Sequence, residues 1–296
     1  NILMIGPPGA GKTMLARRIP TILPDLSLKE AIETTKLHSI AGLLKPHQAL
    51  VGTRPFRAPH HTISEAGLIG GGRIPKPGEI SLSHNGVLFL DELSEFPRYI
   101  LESLRQPLED GAVTISRALA SINYPARFML VAAMNPCPCG YFGDPNHVCN
   151  CTPLQIQNHL NKISGPLLDR IDIHIEVRAV KKEELLGKKK GEPSSEIKKR
   201  VNKARKIQLK RFKGLSIYCN AQMSPKHIRR FSLPDKDAEG LLRMAISELY
   251  LSARAYHKVL KISRTIADLD EKQEINSSHV SEALQYRYLD KELWKR

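Results

Sequence analysis

The sequence has few aromatic residues and no long hydrophobic run. Phe, Trp and Tyr together make up 5% of the 296 residues, and there is a single Trp. No apolar stretch approaches the roughly 20 residues that a membrane-spanning helix needs. The first residues also lack the basic and apolar segments of a secretory signal. We therefore expect a cytoplasmic protein with no membrane partner. Because the sequence does not start with Met, we also expect it to be a piece of a longer chain.

Acidic residues are scarce relative to basic ones. The chain has 45 Lys and Arg against 30 Asp and Glu, a net charge of +15. Such an excess favours a polyanionic partner, of which nucleic acid is the usual one. However, the segment from Arg178 to Lys213 alone holds 15 Lys or Arg and 4 Asp or Glu. A lysine-rich linker followed by a solvated helix face explains the excess equally well, so charge alone leaves the partner open.

A phosphate-binding loop stands near the start of the sequence. Its residues are Gly6, Pro7, Pro8, Gly9, Ala10, Gly11, Lys12 and Thr13. It follows an apolar strand at 2–5 and precedes a helix predicted over 14–19, which Pro20 is expected to end. The glycines let backbone N–H groups converge, and the helix dipole adds positive charge there. Lys12 can reach the β- and γ-phosphates and Thr13 can bind Mg²⁺, which predicts a nucleotide's phosphates with Mg²⁺ rather than a dinucleotide.

Two later strands are predicted to end at the same nucleotide. An apolar strand at 87–90 is followed by Asp91, a Mg²⁺ ligand, and by Glu92, the candidate general base for the attacking water. A further strand, at 128–133, leads to Asn135, which is placed to hold that water. The alternative for a lone Asn after a strand is a turn former.

The order of the predicted elements divides the chain. Strands alternate with helices up to residue 177, including one helix over 99–109 and a closing strand over 171–177, which predicts an α/β domain with a parallel sheet. Beyond residue 193 the pattern is helical, with helices at 224–231, 235–249, 253–269 and 277–284. We expect a nucleotide-binding domain over 1–178, a lysine-rich linker over 179–193 and a helical domain over 194–296.

Further motifs give the chain a family resemblance. They are RAPHHT at 57–62, GEIS at 78–81, LED at 108–110, VTISR at 113–117, NPCPCG at 135–140, SGPLLDRID at 164–172 and SAR at 252–254. With the phosphate loop, they make essentially the whole chain similar to the magnesium-chelatase-like AAA+ ATPases, above all their ComM/YifB group. The resemblance implies a P-loop NTPase three-layer αβα domain and a C-terminal helical lid. It also implies a homo-oligomer, a hexameric ring with ATP and Mg²⁺ bound between subunits.

The resemblance also implies roles for individual residues. Asn135 matches the sensor-1 position, and Arg170 matches the arginine finger that reaches the neighbouring subunit's γ-phosphate. A local pair of Arg170 with Asp169 or Asp172 is the alternative. Arg254 matches the sensor-2 arginine, which contacts the γ-phosphate of its own subunit. Arg264, on the same predicted helix, is the competing choice.

Two hairpins that project toward the pore of the ring are implied as well. The first, over 67–80, carries Arg73 and Lys76, and the second, over 111–127, carries Arg117 and Arg127. Cations around a pore suit the DNA backbone, although salt bridges between subunits are the alternative. The implied function is ATP-driven remodelling of DNA, by branch migration or helicase action in DNA uptake (competence) or recombination. The rival function is that of a protein-remodelling ATPase resembling the magnesium chelatase motor subunit ChlI.

Four of the five cysteines crowd into one short segment. Cys137, Cys139, Cys149 and Cys151 could enclose a tetrahedral Zn²⁺, and His147 could replace one of them. The spacing within each pair is tighter than in most zinc sites, so reduced, metal-free thiols are the alternative. The adjacent histidines His60 and His61 are expected to be loop structure rather than metal ligands.

Overall fold

The structure is a computed structural model of the 296-residue chain. It describes residues 1–72, 74–117, 120–179, 191–249 and 251–287. These residues form two compact units, one of residues 1–20 and 25–179 and the other of residues 21–24 and 191–287. Within the described residues, no helix has both the length and the apolar character that a membrane crossing requires.

The strands found among the described residues lie in the first unit. They are β1 (Ile2–Ile5), β2 (Phe56–Arg57), β3 (Gly70–Gly71), β4 (Lys76–Pro77), β5 (Val87–Leu90), β6 (Ala112–Arg117), β7 (Ala120–Pro125), β8 (Met129–Met134) and β9 (Ile173–Glu176). Five of them form a parallel sheet in the order β2-β5-β8-β1-β9. Because these strands run parallel, the carboxyl ends of β1, β5 and β8 share one edge of the sheet, where parallel sheets bind ligands.

The sheet is held by burial of its apolar strands. Every residue of β5 is buried, and Leu88, Leu90 and Leu130 are completely inaccessible to solvent. A continuous apolar run of this kind is typical of a parallel strand that is covered on both faces. The closing strand, β9, is shorter than the 171–177 predicted, although Ile171 before it is fully buried.

Eight α-helices are described before residue 170, besides a short 3₁₀ helix at Leu93–Glu95. They are α1 (Lys12–Ile22), α2 (Leu28–Ile40), α3 (Glu65–Leu68), α4 (Glu79–Leu82), α5 (Arg98–Ser103), α6 (Arg105–Asp110), α7 (Pro153–Leu160) and α8 (Gly165–Leu168). The prediction that Pro20 ends α1 is wrong, because Pro20 lies inside the helix and removes one donor near its end. The single helix predicted over 99–109 is two helices that meet at Leu104. Pro107 has no N–H to give to Ser103, so the main-chain ladder is interrupted there.

Two antiparallel hairpins leave the sheet. One joins β3 to β4, with Gly70 opposite Pro77, and the other joins β6 to β7, with Ile115 opposite Ile122. The buried hydroxyl of Tyr124 in β7 donates a 2.8 Å hydrogen bond to the Pro75 carbonyl, just before β4. The two hairpins therefore pack together and are positioned as a pair.

The second unit is helical. Its helices are α9 (Ser194–Arg211), α10 (Pro225–Phe231), α11 (Lys236–Leu249), α12 (Ala253–Leu269) and α13 (Ser277–Gln285). Their core contains Phe212, Leu242, Val259 and Val280, each at most 2% exposed. The Asn276 side chain caps α13 by accepting a hydrogen bond from the N–H of His279. The predicted fold class, an α/β parallel sheet followed by a helical region, is confirmed.

Candidate active site

The phosphate-binding loop connects β1 to α1. The backbone geometry at three of its positions explains why glycine is required there. Gly9 and Gly11 have φ angles of 75° and 85°, in the left-handed region that residues with a Cβ avoid. At Gly6, a Cβ would lie 2.0 Å from the carbonyl oxygen of Val177, which follows β9. The loop therefore needs glycine at these positions to turn back over the end of the sheet.

Lys12 lies folded over this loop. Its ammonium donates to the carbonyl oxygens of Gly6 at 2.6 Å and Pro7 at 2.9 Å, and to Asn135 Oδ1 at 3.0 Å. The residue is 9% exposed, and burial lowers the pKa of its ammonium, while the nearby Asp91 carboxylate opposes that shift. The cation is thus held where a phosphate group of a nucleotide would replace its carbonyl partners.

Two oxygen ligands suited to Mg²⁺ meet beside the loop. The Thr13 hydroxyl donates a 2.6 Å hydrogen bond to Asp91 Oδ2, at the carboxyl end of β5. The other carboxylate oxygen of Asp91 accepts the backbone N–H of Glu92 at 3.1 Å. A hydroxyl and a carboxylate are hard oxygen ligands, which Mg²⁺ prefers alongside water and phosphate oxygens. The two residues predicted as Mg²⁺ ligands are therefore adjacent.

Glu92 contacts His61, for which the sequence predicted only a part in loop structure. The backbone of Glu92 is left-handed, with φ 52° and ψ 50°. The Glu92 carboxylate lies 3.4 Å from His61 Nδ1. The His61 ring also packs edge-on against Phe96, with 6.3 Å between ring centroids. The loop after β2 and the loop after β5 leave the same edge of the sheet, because the two strands are parallel neighbours. No spacing pattern in the sequence could have signalled this contact.

A second histidine, His159, holds the backbone of Asn135. His159, near the end of α7, forms a 3.0 Å hydrogen bond through Nε2 with the backbone oxygen of Asn135. His159 is 6% exposed, and burial lowers the pKa of its ring, which favours the neutral form. Since the Asn135 side chain already accepts from Lys12, the residue is held by both its backbone and its amide. No pattern in the sequence indicates a role for His159.

Arg170 is paired within its own chain. One terminal nitrogen of its guanidinium forms an ion pair with Glu109, at the end of α6, and the other donates to the Pro166 carbonyl at 2.7 Å. Its Nε is buried and has no hydrogen-bond partner among the residues that the structure describes. The side chain of Arg170 is 14% exposed and that of Glu109 is 53% exposed. The local partners predicted for Arg170 were Asp169 and Asp172, not Glu109.

The two arginines considered for sensor 2 differ sharply. Arg264 is 1% exposed, and its guanidinium donates to the carboxylate of the fully buried Asp268 and to the backbone oxygens of Lys272 and Gln273. A guanidinium committed in this way is part of the core of the helical unit. Arg254 is exposed, in the first turn of α12, which Ser252 caps. Of the two, Arg254 is the one exposed to solvent.

Of the four cationic side chains predicted to contact DNA, the structure describes two, and both are exposed. Lys76 is exposed on β4. Arg127 is exposed between β7 and β8, and its backbone N–H donates to His84 Nδ1 at 3.0 Å. Arg73 lies outside the described residues, as does the side chain of Arg117.

The structure brings the four clustered cysteines together. The sulfur atoms of Cys137, Cys139, Cys149 and Cys151 all lie within 4.8 Å of one another, and none is in a disulfide. His147, considered as a substitute ligand, is engaged elsewhere. It stacks on Tyr141 with 4.6 Å between ring centroids, and its Nδ1 lies 3.4 Å from an Asp144 carboxylate oxygen.

Comparison with protein families agrees with this geometry in both units. Residues 1–185 match the family described as magnesium chelatase, subunit ChlI, and residues 191–287 match the C-terminal family of the same subunit. The chain belongs to the magnesium chelatase ChlI family. Members of this family have the AAA+ P-loop fold and use ATP with Mg²⁺, in agreement with the phosphate loop and the Thr13–Asp91 pair. The predicted family resemblance is confirmed.

Individual relatives fall into two groups. Competence protein ComM of Haemophilus influenzae is 49% identical over 100% of this chain and 57% of its own length. YifB of Escherichia coli K12 is 47% identical over 98% of this chain and 56% of its own length. A magnesium-chelatase subunit ChlI, from Guillardia theta, is 24% identical over 62% of this chain and 52% of its own length. The chain therefore spans little more than half the length of these relatives.

Proposed function

We propose that this protein is an ATPase that hydrolyses ATP between the subunits of a hexameric ring and uses the energy to remodel DNA. The observation that carries the ATPase part is the convergence of Lys12, Thr13, Asp91 and Asn135. Lys12 bonds Asn135 at 3.0 Å and Thr13 bonds Asp91 at 2.6 Å, beside the carboxyl ends of three neighbouring strands. Phosphoryl transfer needs mainly positioned cations and a positioned water, and these side chains supply both.

Each residue has a separate task in this proposal. Thr13 and Asp91 would hold Mg²⁺, which neutralises charge on the β- and γ-phosphates when bound. Lys12 exchanges its two carbonyl partners for phosphate oxygens, and Asn135 holds the attacking water. Glu92 accepts a proton from that water as the phosphoryl group is transferred.

His61 is a positioning residue in this scheme. At 3.4 Å from the Glu92 carboxylate, it can fix which way the general base faces. A base at the tip of a strand, with 60% of its side chain exposed, samples several rotamers unless a neighbour orients it. The contact therefore favours one orientation of Glu92 and bears on turnover more than on nucleotide affinity.

Arg170 supplies the part of the site that comes from a neighbouring subunit. A guanidinium beside the γ-phosphate stabilises the charge that spreads over its oxygens in the transition state. In the single chain, Arg170 is paired with Glu109, so this proposal requires Arg170 to leave that partner when the subunit interface forms.

The shared site can be tested by mixing two inactive variants. Glu92→Gln removes the general base, and Arg170→Ala removes the finger, so each protein alone should lose nearly all turnover. In an equal random mixture, an interface is competent when an Arg170→Ala subunit supplies Glu92 and its Glu92→Gln neighbour supplies Arg170. About a quarter of the interfaces then regain both groups, and we expect about that fraction of wild-type turnover.

The outcome of the mixing experiment is decisive for the proposed ring. A mixture with no more activity than its components would contradict a site shared between subunits. Full turnover of Arg170→Ala alone would contradict the finger assignment. Asp169→Ala, at the adjacent position, is the matched control and should leave complementation unchanged.

The DNA part of the proposal rests on charge and on the named relative. The chain carries a net charge of +15, Lys76 and Arg127 are exposed in the hairpin region, and the 49% identical relative is a competence protein. Contacts from Lys and Arg to phosphate are sequence-independent, as tracking along a strand requires. This function would place the protein in the cytoplasm, with the DNA.

DNA binding is tested through ATP turnover and salt dependence. We expect forked or single-stranded DNA to stimulate ATPase activity, and we expect binding to weaken steeply with salt. Lys76→Ala and Arg127→Ala should each lower the slope of log K against log salt by about 0.7–0.9. Lys45→Ala, an exposed loop lysine elsewhere in the first unit, should not. ATPase activity with neither stimulation nor salt-sensitive binding would overturn the DNA part and favour a chelatase-like protein-remodelling ATPase.

A further inference from the structure

The four clustered cysteines have the dimensions of a metal site. The sulfur of Cys137 lies 3.4 Å from that of Cys139 and 3.7 Å from that of Cys149, and the sulfurs of Cys139 and Cys149 are 3.6 Å apart. A zinc ion with sulfur ligands at about 2.3 Å in a tetrahedron places those sulfurs about 3.8 Å from each other. We propose that Cys137, Cys139, Cys149 and Cys151 bind one structural Zn²⁺, which holds the turn after β8 against the phosphate loop.

The ligand set selects the kind of ion. The group contains sulfur only, which favours zinc or iron over the hard cations Mg²⁺ and Ca²⁺. Four sulfurs this close surround a single ion, because an iron–sulfur cluster spreads its cysteines around several metal atoms. Cys137 is buried and the other three are partly exposed, so a closed site remains accessible to an incoming ion.

Backbone donors surround the sulfurs as they do in thiolate sites. The N–H of Phe142 points at Cys137 Sγ, with 3.3 Å between nitrogen and sulfur, and the N–H of Cys139 points at Cys151 Sγ at 3.4 Å. Such hydrogen bonds stabilise negative charge on the sulfur and orient it toward the metal. They satisfy a thiolate ligand better than a neutral thiol, which is only a weak acceptor.

The segment that carries the cysteines has little else to hold it. It runs from the end of β8 to the start of α7, and Phe142 and Val148 within it are 44% and 84% exposed. Loops of this length without secondary structure of their own are uncommon in compact domains and usually serve a site. The ion would join its first turn, at Cys137 and Cys139, to Cys149 and Cys151, just ahead of α7.

The same segment contacts the nucleotide site at both of its ends. A Cβ on Gly140, which has φ 88°, would lie 2.6 Å from Pro8 Cδ in the phosphate loop and 3.8 Å from Asn135 Cγ. At the other end, α7 returns His159 to the backbone oxygen of Asn135. Tying the segment together therefore fixes the surface on which Pro8 and Asn135 rest.

Metal analysis of the purified protein tests the ion itself. We expect one zinc per chain for the wild type, a loss to below about a tenth of that for Cys149→Ser and Cys151→Ser, and full zinc for Cys219→Ser, which lies in the helical unit. Substitution with Co²⁺ in the wild type should give the visible absorption of tetrahedral thiolate ligation. A wild type that takes up no zinc under reducing conditions, that binds iron instead, or that pairs these cysteines in disulfides overturns the proposal.

Nucleotide affinity tests whether the cysteine segment supports the phosphate loop. Of the two experiments, only this one rests on the proposed function. Gly140→Ala keeps all four sulfurs but drives a methyl group into Pro8, so it should retain zinc and bind a fluorescent ATP analogue at least about fivefold more weakly. Gly143→Ala in the same segment has a similar φ of 80° with open space around it, and serves as the control for backbone strain. Equal affinities for the two variants would overturn the link. Failure of the wild type to bind the analogue would instead count against the ATPase itself.

Discussion

Arg254 and Arg264 lie on one helix, and the structure predicts opposite consequences for their loss. The completely buried carboxylate of Asp268 is paired with two arginines, Arg264 and Arg211. Replacing Arg264 with Met removes one of these two partners. Breaking a buried ion pair costs about 3–5 kcal/mol, because the remaining charge stays buried with fewer partners. Since Arg211 still bonds Asp268, we expect the lower part of that range. Replacing the exposed Arg254 with Met should cost less than about 1 kcal/mol.

Urea unfolding followed by circular dichroism measures the difference. With a slope of about 1–3 kcal/mol per molar urea, a loss of 3 kcal/mol moves the midpoint of the helical unit by about 1–3 M. The two units can unfold in separate transitions, so the shift should be confined to one of them. ATP turnover should show the reverse pattern, with the larger loss per folded molecule for Arg254→Met. A stable Arg264→Met protein without turnover, beside a fully active Arg254→Met protein, would refute this reasoning.

Three further predictions concern the contacts that the sequence did not signal. Glu109→Gln frees Arg170 from a half-exposed ion pair worth at most about 1 kcal/mol, so ATP turnover of the ring should rise by up to about fivefold. His159→Leu leaves the Asn135 carbonyl without its donor, which should cost about 1–3 kcal/mol in urea unfolding and weaken nucleotide binding. Burial lowers the pKa of His84 below its unfolded value of about 6.5, so melting temperature should fall as pH drops below 6.5.

Each of these predictions has a matched control. Asp110→Asn, beside Glu109, should leave turnover unchanged, and a loss of turnover in Glu109→Gln would mean that the ion pair positions Arg170 for catalysis. His159→Gln keeps a donor and should recover part of the loss, whereas equal damage by Gln and Leu would exclude the hydrogen bond as the cause.

The pH prediction depends on the groups that surround His84. Its Nδ1 accepts the N–H of Arg127, which is possible only while that nitrogen is unprotonated, and its Nε2 lies 3.4 Å from a Glu33 carboxylate oxygen. Burial lowers the pKa of the ring, Glu33 and Glu30 raise it, and the Arg127 charge lowers it. Because the lowering prevails, the native state binds fewer protons than the unfolded state just below pH 6.5, and acidification favours unfolding. A His84→Gln protein with the same pH profile as the wild type would contradict this assignment.

The sequence by itself determined the parts of the site that are local in the chain. Eight consecutive residues make the phosphate loop, and Asp91, Glu92 and Asn135 each follow an apolar strand, so their meeting at one edge follows from a parallel sheet. The cysteine grouping was visible for the same reason, since all four lie within one loop. Helix boundaries were less certain where proline intervened, as at Pro20 and Pro107, because neighbouring packing decides whether a helix tolerates the missing donor.

Only the tertiary structure decided which side chains support that site. Glu109 and Arg170 are separated by 61 positions, and Asn135 and His159 by 24, without any repeating pattern to relate them. Likewise, both arginines of α12 are plausible from sequence, and burial alone separates Arg264 from Arg254. Such contacts depend on the order of strands in the sheet and on the packing of helices. These are properties of the whole chain, which no short stretch of sequence encodes.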